Sequence, residues 1–301
     1  MNVPSPAGQQ VDNMRGLALM ALAMFVFSAV DTQAKFLTQT MHPIQVTWSR
    51  QLGLFAAMLF LLARHGPSVL KTAHPWLQVF RGCLAAVSAV CFIVAVSFVP
   101  LADAVSISFI APFIVTLLSA FILRETVGIR RWAAVTIGFL GTLIVIRPGM
   151  GVVDPAIFFV VLAAFCFALR QIVSRSLANS DRTITTVAYT ALVSVVLLTL
   201  PLPFVWQTPT TGIELILLLG VAAMAGVGEF TLIKALEVGQ AAVVAPVQYS
   251  LLLWSTFYGW LIFNDLPDFW TWVGALIIVS TGLYTLHRER LAAKASKART
   301  G

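Results

Sequence analysis

The sequence predicts an all-α membrane protein of ten transmembrane helices, arranged as two inverted five-helix repeats. Three observations lead there. Of its 301 residues, 59% are hydrophobic and 10% charged, and the mean hydropathy is +0.92. So much apolar surface cannot be hidden inside a soluble fold of this size and belongs in a bilayer. The chain also repeats itself: FVFSAVDTQAK, Phe25 to Lys35, returns as FCFALRQIVSR, Phe165 to Arg175. This sets Phe25 on Phe165, Phe27 on Phe167 and Lys35 on Arg175, and a second match sets Val99-Pro100-Leu101-Ala102 on Val238-Gly239-Gln240-Ala241. The third observation is where the basic residues fall between spans.

Apolar stretches broken by Pro, Gly or charge place the spans at 16–36, 43–62, 75–97, 101–122, 131–147, 154–173, 183–205, 211–234, 240–262 and 269–287. Most can cross a bilayer at about 1.5 Å of rise per residue. The first run, Gly16 to Phe36, has the length of a full span and is followed by equally apolar chain, so it reads as a helix rather than a cleaved signal. With the N-terminus inside, Arg15, Arg64, Lys71, Arg124, Arg130, Arg131, Arg175, Arg182 and Lys234 all become cytoplasmic, while Arg147 and Lys35 lie outside. Both termini are then expected in the cytoplasm of a cell (inner) membrane. Five spans per half is odd, so the second half enters upside down relative to the first. The expected units are 1–147, 148–287 and a basic tail, 288–301.

The net charge of +7 owes much to that tail, which holds Arg288, Arg290, Lys294, Lys297 and Arg299. This reads as a cytoplasmic anchor rather than a nucleic-acid surface. Trp76, Trp132, Trp206, Trp270 and Trp272 fall near helix ends, as interface anchors do. Trp48 and Trp254 lie deeper and read as packing or lipid-facing residues, or as lining a cavity. Cys83, Cys91 and Cys166 show no paired spacing and read as packing residues. There is no Walker-type glycine loop, His-Glu-x-x-His or nucleophile elbow, so neither direct ATP hydrolysis nor membrane-enzyme chemistry is expected. No metal or cofactor is called for.

A charge at bilayer depth costs at least about 2.5–3.5 kcal/mol on insertion scales, so each should face a partner, water or a solute. Asp31 and Lys35 are four apart on one helix face, acid first, the favourable order for a pair, and Ser28 extends the stripe. Asp31 lies about 22 Å along its helix and Arg50 about 10 Å in from Pro43; with Lys35 and Asp103 they make an outer polar cluster. Arg81, Arg170, Glu229 and Lys234 make an inner one. Lys35 and Lys234, near helix ends, read as snorkelling residues, structural ion pairs or gate elements. Arg124 and Glu125 read as a loop pair and Glu214 as interfacial. In the middle, Gln171, Gln248, Tyr249, Ser250, Ser106 and Ser108 offer neutral hydrogen bonds, and Pro246 is expected to interrupt its helix and free a backbone carbonyl. Asp31, Asp103 and Glu229 are the carboxyls that a coupling proton would use. Gly138, Gly141, Gly226, Gly228, Gly274 and Gly282 read as sites of close helix packing.

Taken in order, GFLGTLIVIRPG (Gly138 to Gly149), the fourth span ending in Arg124-Glu125 after Pro112, the stretch Pro43 to Arg50, and the pair Gly274 and Gly282 resemble the drug/metabolite transporter superfamily, in its ten-helix EamA-type branch. The resemblance covers nearly the whole chain. It implies transport of one of a chemically diverse set of solutes, among them amino acids, amino-acid-derived compounds and vitamins, so the fold constrains mechanism far more than substrate. The charges depart from the repeat: Glu125 is matched by Asn264 or Asp265, and Arg50 by Thr190. The reading that follows is a secondary transporter working by alternating access on a small-molecule solute. Arg50, Arg81, Arg170 and nearby aromatics favour an anionic, zwitterionic or flat aromatic solute. An amino-acid-like compound comes first and a riboflavin-type vitamin second. A non-transporting sensor or scaffold is the rival of another class.

Overall fold

The structure is a computed structural model that describes residues 12–124, 128–147, 155–177 and 180–300. Its helices begin and end where the sequence supplies the chemistry. α1 (Asn13–Leu37) is capped by Asp12, whose Oδ1 accepts the Arg15 amide at 2.9 Å. α2 (Pro43–His65) and α3 (Pro75–Val96) open on proline, at the first turn where no amide is needed. The fourth span is broken into α4 (Leu101–Ser108) and α5 (Ala111–Ile122). Pro112 lacks an amide proton and its ring crowds the carbonyl four residues back, at Ser108, where α4 stops. α6 (Ile129–Ile146) completes the first five spans.

The second set consists of α7 (Ala156–Leu177), α8 (Thr183–Thr199) with the short α9 (Leu202–Val205), then α10 (Gly212–Val238). It ends with α11 (Ala241–Val244), which passes through a 3-10 turn, Ala245–Tyr249, into α12 (Ser250–Phe263), and with α13 (Phe269–Thr300). The seventh, eighth and tenth spans depart from their expected bounds, the eighth running on to Val238. The seventh span ends at Thr199, because Pro201 starts a separate short turn of helix. The ninth is interrupted at Pro246 as expected, by a 3-10 turn. The helix of the tenth span runs on through the basic tail to Thr300; residues 288–300 contain no Gly or Pro and are rich in Ala, Lys and Arg, all good helix formers. Glu214 is not merely interfacial: it closes a capping box with Thr211 at the start of α10.

Six helices among the described residues are long and apolar enough to cross a membrane, and shorter apolar helices cover Trp132–Ile146, Ile184–Thr199 and Phe269–Thr285. Large apolar side chains such as Phe121, Phe204 and Leu276 stand exposed on the outside, as they do when the surrounding solvent is lipid.

The packing identifies the two halves as equivalent. α1 packs on α10 and α7 on α3; α2 packs on α10 and α8 on α3; α1 packs on α12 and α7 on α5. Exchanging the first five spans for the second five turns each of these contacts into its neighbour. Two others, α2 with α8 and α6 with α13, map onto themselves. The chain is thus an all-α membrane fold of two inverted five-helix repeats. Each half builds its interior largely against the other, because the first helix of each packs chiefly on the third of its counterpart. At the crossing of α2 and α10, Gly53 lies against the backbone carbonyl of Ala222, and a Cβ there would overlap it.

The backbone also settles the repeat register that the sequence leaves open. Arg124 follows the fourth span in a left-handed conformation (φ 53°), and Asn264 follows the ninth in the same one (φ 56°). Arg124 therefore corresponds to Asn264, and Glu125 to Asp265. Phe109, just before α5, and Tyr249, just before α12, stand at the breaks of the two fourth spans. Their rings stack on each other, 4.8 Å between centroids.

Candidate functional site

Two charged regions lie at opposite ends of the bundle. We call the end from which α13 carries the C-terminal tail the tail end, and the opposite one the far end.

At the far end, Asp31 on α1 and Arg50 on α2 meet: Oδ1 accepts from NH1 at 2.9 Å, and Asp31 is 5% exposed. Lys35, one turn further on, does not pair with Asp31. Its side chain crosses to the second half, where Nζ donates to Asp265 Oδ2 at 3.2 Å and to the Val99 carbonyl at 3.0 Å, over the Phe263 ring. Position decides this, because Asp31 is already engaged by Arg50 while Asp265 stands in the turn that α12 delivers. Asp103, at the start of α4, is half-buried with the Thr271 side chain beside its carboxyl, and Lys35, Arg147 and Asp268 lie within electrostatic range. Arg147 bonds Asp268 at 2.5 Å, and the Asp268 carboxylate also caps α13 by accepting the Thr271 amide at 2.8 Å. The four-residue cluster expected from the sequence is therefore two groups: Asp31 with Arg50, and Lys35 and Asp103 with Arg147, Asp265 and Asp268. Sequence reasoning missed the last three as members. The available signal was the acid that follows the fourth span in both halves, Glu125 and Asp265; Glu125 itself lies outside the described residues. Gln45 closes this end by exchanging two bonds with the Gln207 backbone, each 2.8 Å.

The tail end is built differently. Arg81 on α3 is 8% exposed. Its Nε donates to Ser174 Oγ on α7 at 2.6 Å, and its NH1 to the Thr186 carbonyl at 3.2 Å and to Thr190 on α8. It braces three helices with neutral acceptors alone. Arg170 on α7 lies over the Phe167 ring at 4.8 Å, with Nε buried and without a hydrogen-bond partner among the described residues. Arg81, Arg170 and Glu229 are within electrostatic range of one another. Lys234, expected in this cluster, is not there: it pairs with Glu237 at 2.7 Å on the exposed face of α10. The preference of i,i+3 neighbours for one another accounts for this. Arg175, the counterpart of Lys35, reaches into the first half and donates to Ser119 on α5 at 3.0 Å.

Near this end, Asp181 between α7 and α8 accepts from Thr72, from the Ala73 amide at 3.2 Å and from Gln78 at 2.6 Å. Burial pushes its carboxyl up, but those bonds and the nearby His74 outweigh it and hold the group below its ordinary value.

In the middle, Ser106 and Ser108 donate to the Ala102 and Ala104 carbonyls of their own helix rather than across helices. Gln171 and Gln248 are exposed on the bundle, while Tyr249 packs on Phe109 and lies against Gly282. Phe25 of α1 meets two rings of α12, the Trp254 edge at 5.1 Å and Tyr258 at 5.5 Å. Among the described residues no group of His, Cys, Asp and Glu is arranged to hold a metal ion.

A bundle whose interior is shared by two exchangeable halves, with charges buried at both ends and aromatic and neutral polar groups between, has the build of a solute transporter. The profile of the EamA-like transporter family matches residues 14–147 and 154–286, one match to each repeat. The chain belongs to this family, and thus to the drug/metabolite transporters. It is 29% identical over 280 residues to the S-adenosylmethionine uptake transporter of Rickettsia felis, covering 93% of this chain and 95% of that one. It is 29% identical to a riboflavin transporter of Rhizobium johnstonii, covering 96% of each, and 28% identical to the pseudopaline exporter CntI of Pseudomonas aeruginosa, covering 88% and 93%. A solved crystal structure shares the fold with a TM-score of 0.62 at 18% identity, covering 91% of this chain and 99% of the other. The protein is a multi-pass membrane transporter and not an enzyme.

Proposed function

We propose that this protein is a secondary active transporter that carries a small polar organic metabolite, amino-acid-like or amino-acid-derived and zwitterionic or anionic, across the cytoplasmic membrane by alternating access. One observation carries the reading: the buried Nε of Arg170 has no hydrogen-bond partner among the described residues, beside Arg81 and Glu229. A guanidinium N–H without an acceptor matches a carboxylate, and a neighbouring carboxylate matches an ammonium. A zwitterion satisfies both at once. The relative named for S-adenosylmethionine supports an amino-acid group on the solute; the relative named for riboflavin supports the alternative, a vitamin. An uptake protein and an exporter both occur among the relatives, and the proposal covers either direction.

Alternation follows from contacts that cross between the halves. Lys35 with Asp265 ties α1 to the end of α12, and Arg175 with Ser119 ties α7 to α5. Because these are counterparts, loosening one end while tightening the other exchanges the roles of the two halves. In this scheme Asp31, Arg50 and Asp103 serve the far end, Arg81, Arg170 and Glu229 the tail end, and Gln171, Gln248 and Tyr249 the path between. A proton is the candidate coupling ion, and the basic tail keeps both termini in the cytoplasm.

The test is uptake by proteoliposomes from a mixed pool of amino acids, S-adenosylmethionine and riboflavin, read by mass spectrometry with and without a pH gradient. Gradient-dependent accumulation of an amino-acid derivative, lost in Arg170→Gln, is expected. Selective accumulation of riboflavin moves the assignment to the vitamin. Transport unchanged in Arg170→Gln removes the observation on which the solute class rests.

A further inference from the structure

We infer that the solute carries a flat nitrogen heteroaromatic ring in addition to its amino-acid group, and that the crossing of α1 and α12 is the site that takes this ring. The inference rests on the transport reading above and names the substrate class more closely.

Trp254 lies in the second turn of α12, with Phe25 set against it edge to face at 5.1 Å, and Tyr258, one turn further along the same face of α12, is tilted on Phe25 at 5.5 Å. An indole N–H buried in a membrane protein ordinarily finds an acceptor. Trp254 Nε1 is buried and has none among the described residues. Ser28 is on the same face of α1 as Phe25, one turn further on, and its hydroxyl is fully buried and likewise without a partner. A further buried hydroxyl of α12 without a partner, Ser250, lies one turn before Trp254 on the same face. Of the nine buried polar atoms without a partner among the described residues, three thus belong to the facing sides of α1 and α12, beside three aromatic rings.

Aromatic faces and edges bind a flat ring by stacking, which selects for flatness and not for identity. Donors whose acceptors are not in the protein select for ring nitrogen or carbonyl oxygen. Together they fit a heteroaromatic ring, and they reject an aliphatic chain, which would leave the indole N–H unsatisfied.

The repeat shows that packing alone does not require this arrangement. With the 140-residue shift, Phe25 has Phe165 as its counterpart, but Trp254 has Ile114, an apolar side chain with no donor. The mirror crossing of α7 and α5 therefore does without the indole. The indole donor is thus present at one of the two equivalent crossings only, as suits a site for an asymmetric solute.

The experiment measures binding to the purified full-length chain by isothermal titration, using S-adenosylhomocysteine as the ring-bearing zwitterion and methionine as the ring-free one. The variants are Trp254→Phe, which keeps a ring but loses the donor, and Ile114→Val as a control at the mirror crossing. The wild type should bind the ring-bearing probe at least tenfold more tightly than methionine. Trp254→Phe should weaken that probe by about tenfold, the scale of one unsatisfied donor, and leave methionine unchanged. Equal affinity of the two probes overturns the inference while leaving the transport reading intact. So does equal weakening of both probes in Trp254→Phe, because that is the mark of a packing defect. Binding of neither probe, with the protein shown to be folded by its melting transition, overturns the inference and the amino-acid reading together. If Trp254→Phe fails to fold, Ser28→Ala is read in its place, with the same outcomes at smaller amplitude.

Discussion

The far end and the tail end of this bundle are made by the same helices in the same arrangement, yet they are held in different ways. The far end is held by opposite charges: Asp31 with Arg50, Lys35 with Asp265, and Arg147 with Asp268. The tail end is held largely by neutral acceptors around Arg81 and by the bonds to Asp181, while Arg170 keeps an unused donor. The difference teaches that duplication fixes where helices cross but not what their side chains do there. Asp31 is matched by Gln171, and Arg50 by Thr190, which serves instead as an acceptor for Arg81. A scaffold that is symmetric to exchange therefore has ends that cost different amounts to open.

The sharpest way to break the comparison is to remove one member of the far-end pair. Arg50→Met leaves Asp31 buried and uncompensated, at a cost of about 3–5 kcal/mol. Asp31→Asn should cost less, because the Arg50 side chain is 21% exposed and Asp31 only 7%. Thermal unfolding in lipid should rank the two in that order, and the double variant Asp31→Asn with Arg50→Met should recover much of the loss. Additive losses would show that the pair is not coupled.

A smaller effect sharpens the account of the tail end. The Asp181 carboxyl is held below its ordinary value, so its contribution to stability is present above the unfolded value of about 3.9 and is lost as pH falls through the folded one. Acidification into that range should lower the melting temperature of the wild type more than that of Asp181→Asn. At neutral pH the variant should be less stable by about 1–3 kcal/mol, the scale of hydrogen bonds to a charged group. Equal acid slopes would mean that the loop is held without the charge.

The smallest effect is at Lys234, which pairs with Glu237 on an exposed face. Lys234→Gln should change stability by less than about 0.5 kcal/mol and leave transport untouched. A transport defect there would return Lys234 to the tail-end site.

The sequence was most legible where periodicity and proline act locally. The repeat, the spans, and the break at Pro246 could all be read from it, because helices obey rules that reach only a few residues. The meeting of Asp31 with Arg50 could be read as well, since depth along a helix is arithmetic. Partners supplied by the other half could not. Lys35 sits four residues from Asp31, and only the turn after α12 brings Asp265 closer. At a helix end, Lys234 reads as a snorkelling residue, ion pair or gate; α10 continues to Val238 and supplies its ion-pair partner, Glu237. Which of Asn264 and Asp265 answers Glu125 needed a backbone angle, not a residue name.

The stacking of Phe109 on Tyr249 has a mechanical consequence. A contact between the breaks of the two fourth spans lies near the axis of exchange, so in the alternating-access scheme proposed above it serves as the fulcrum. Spin labels near residues 109 and 249 should keep one separation throughout a transport cycle. Labels reporting Lys35 to Asp265 and Arg175 to Ser119 should instead show two separations, one lengthening as the other shortens. A see-saw is recognised by the point that does not move, and here that point is a pair of rings 4.8 Å apart.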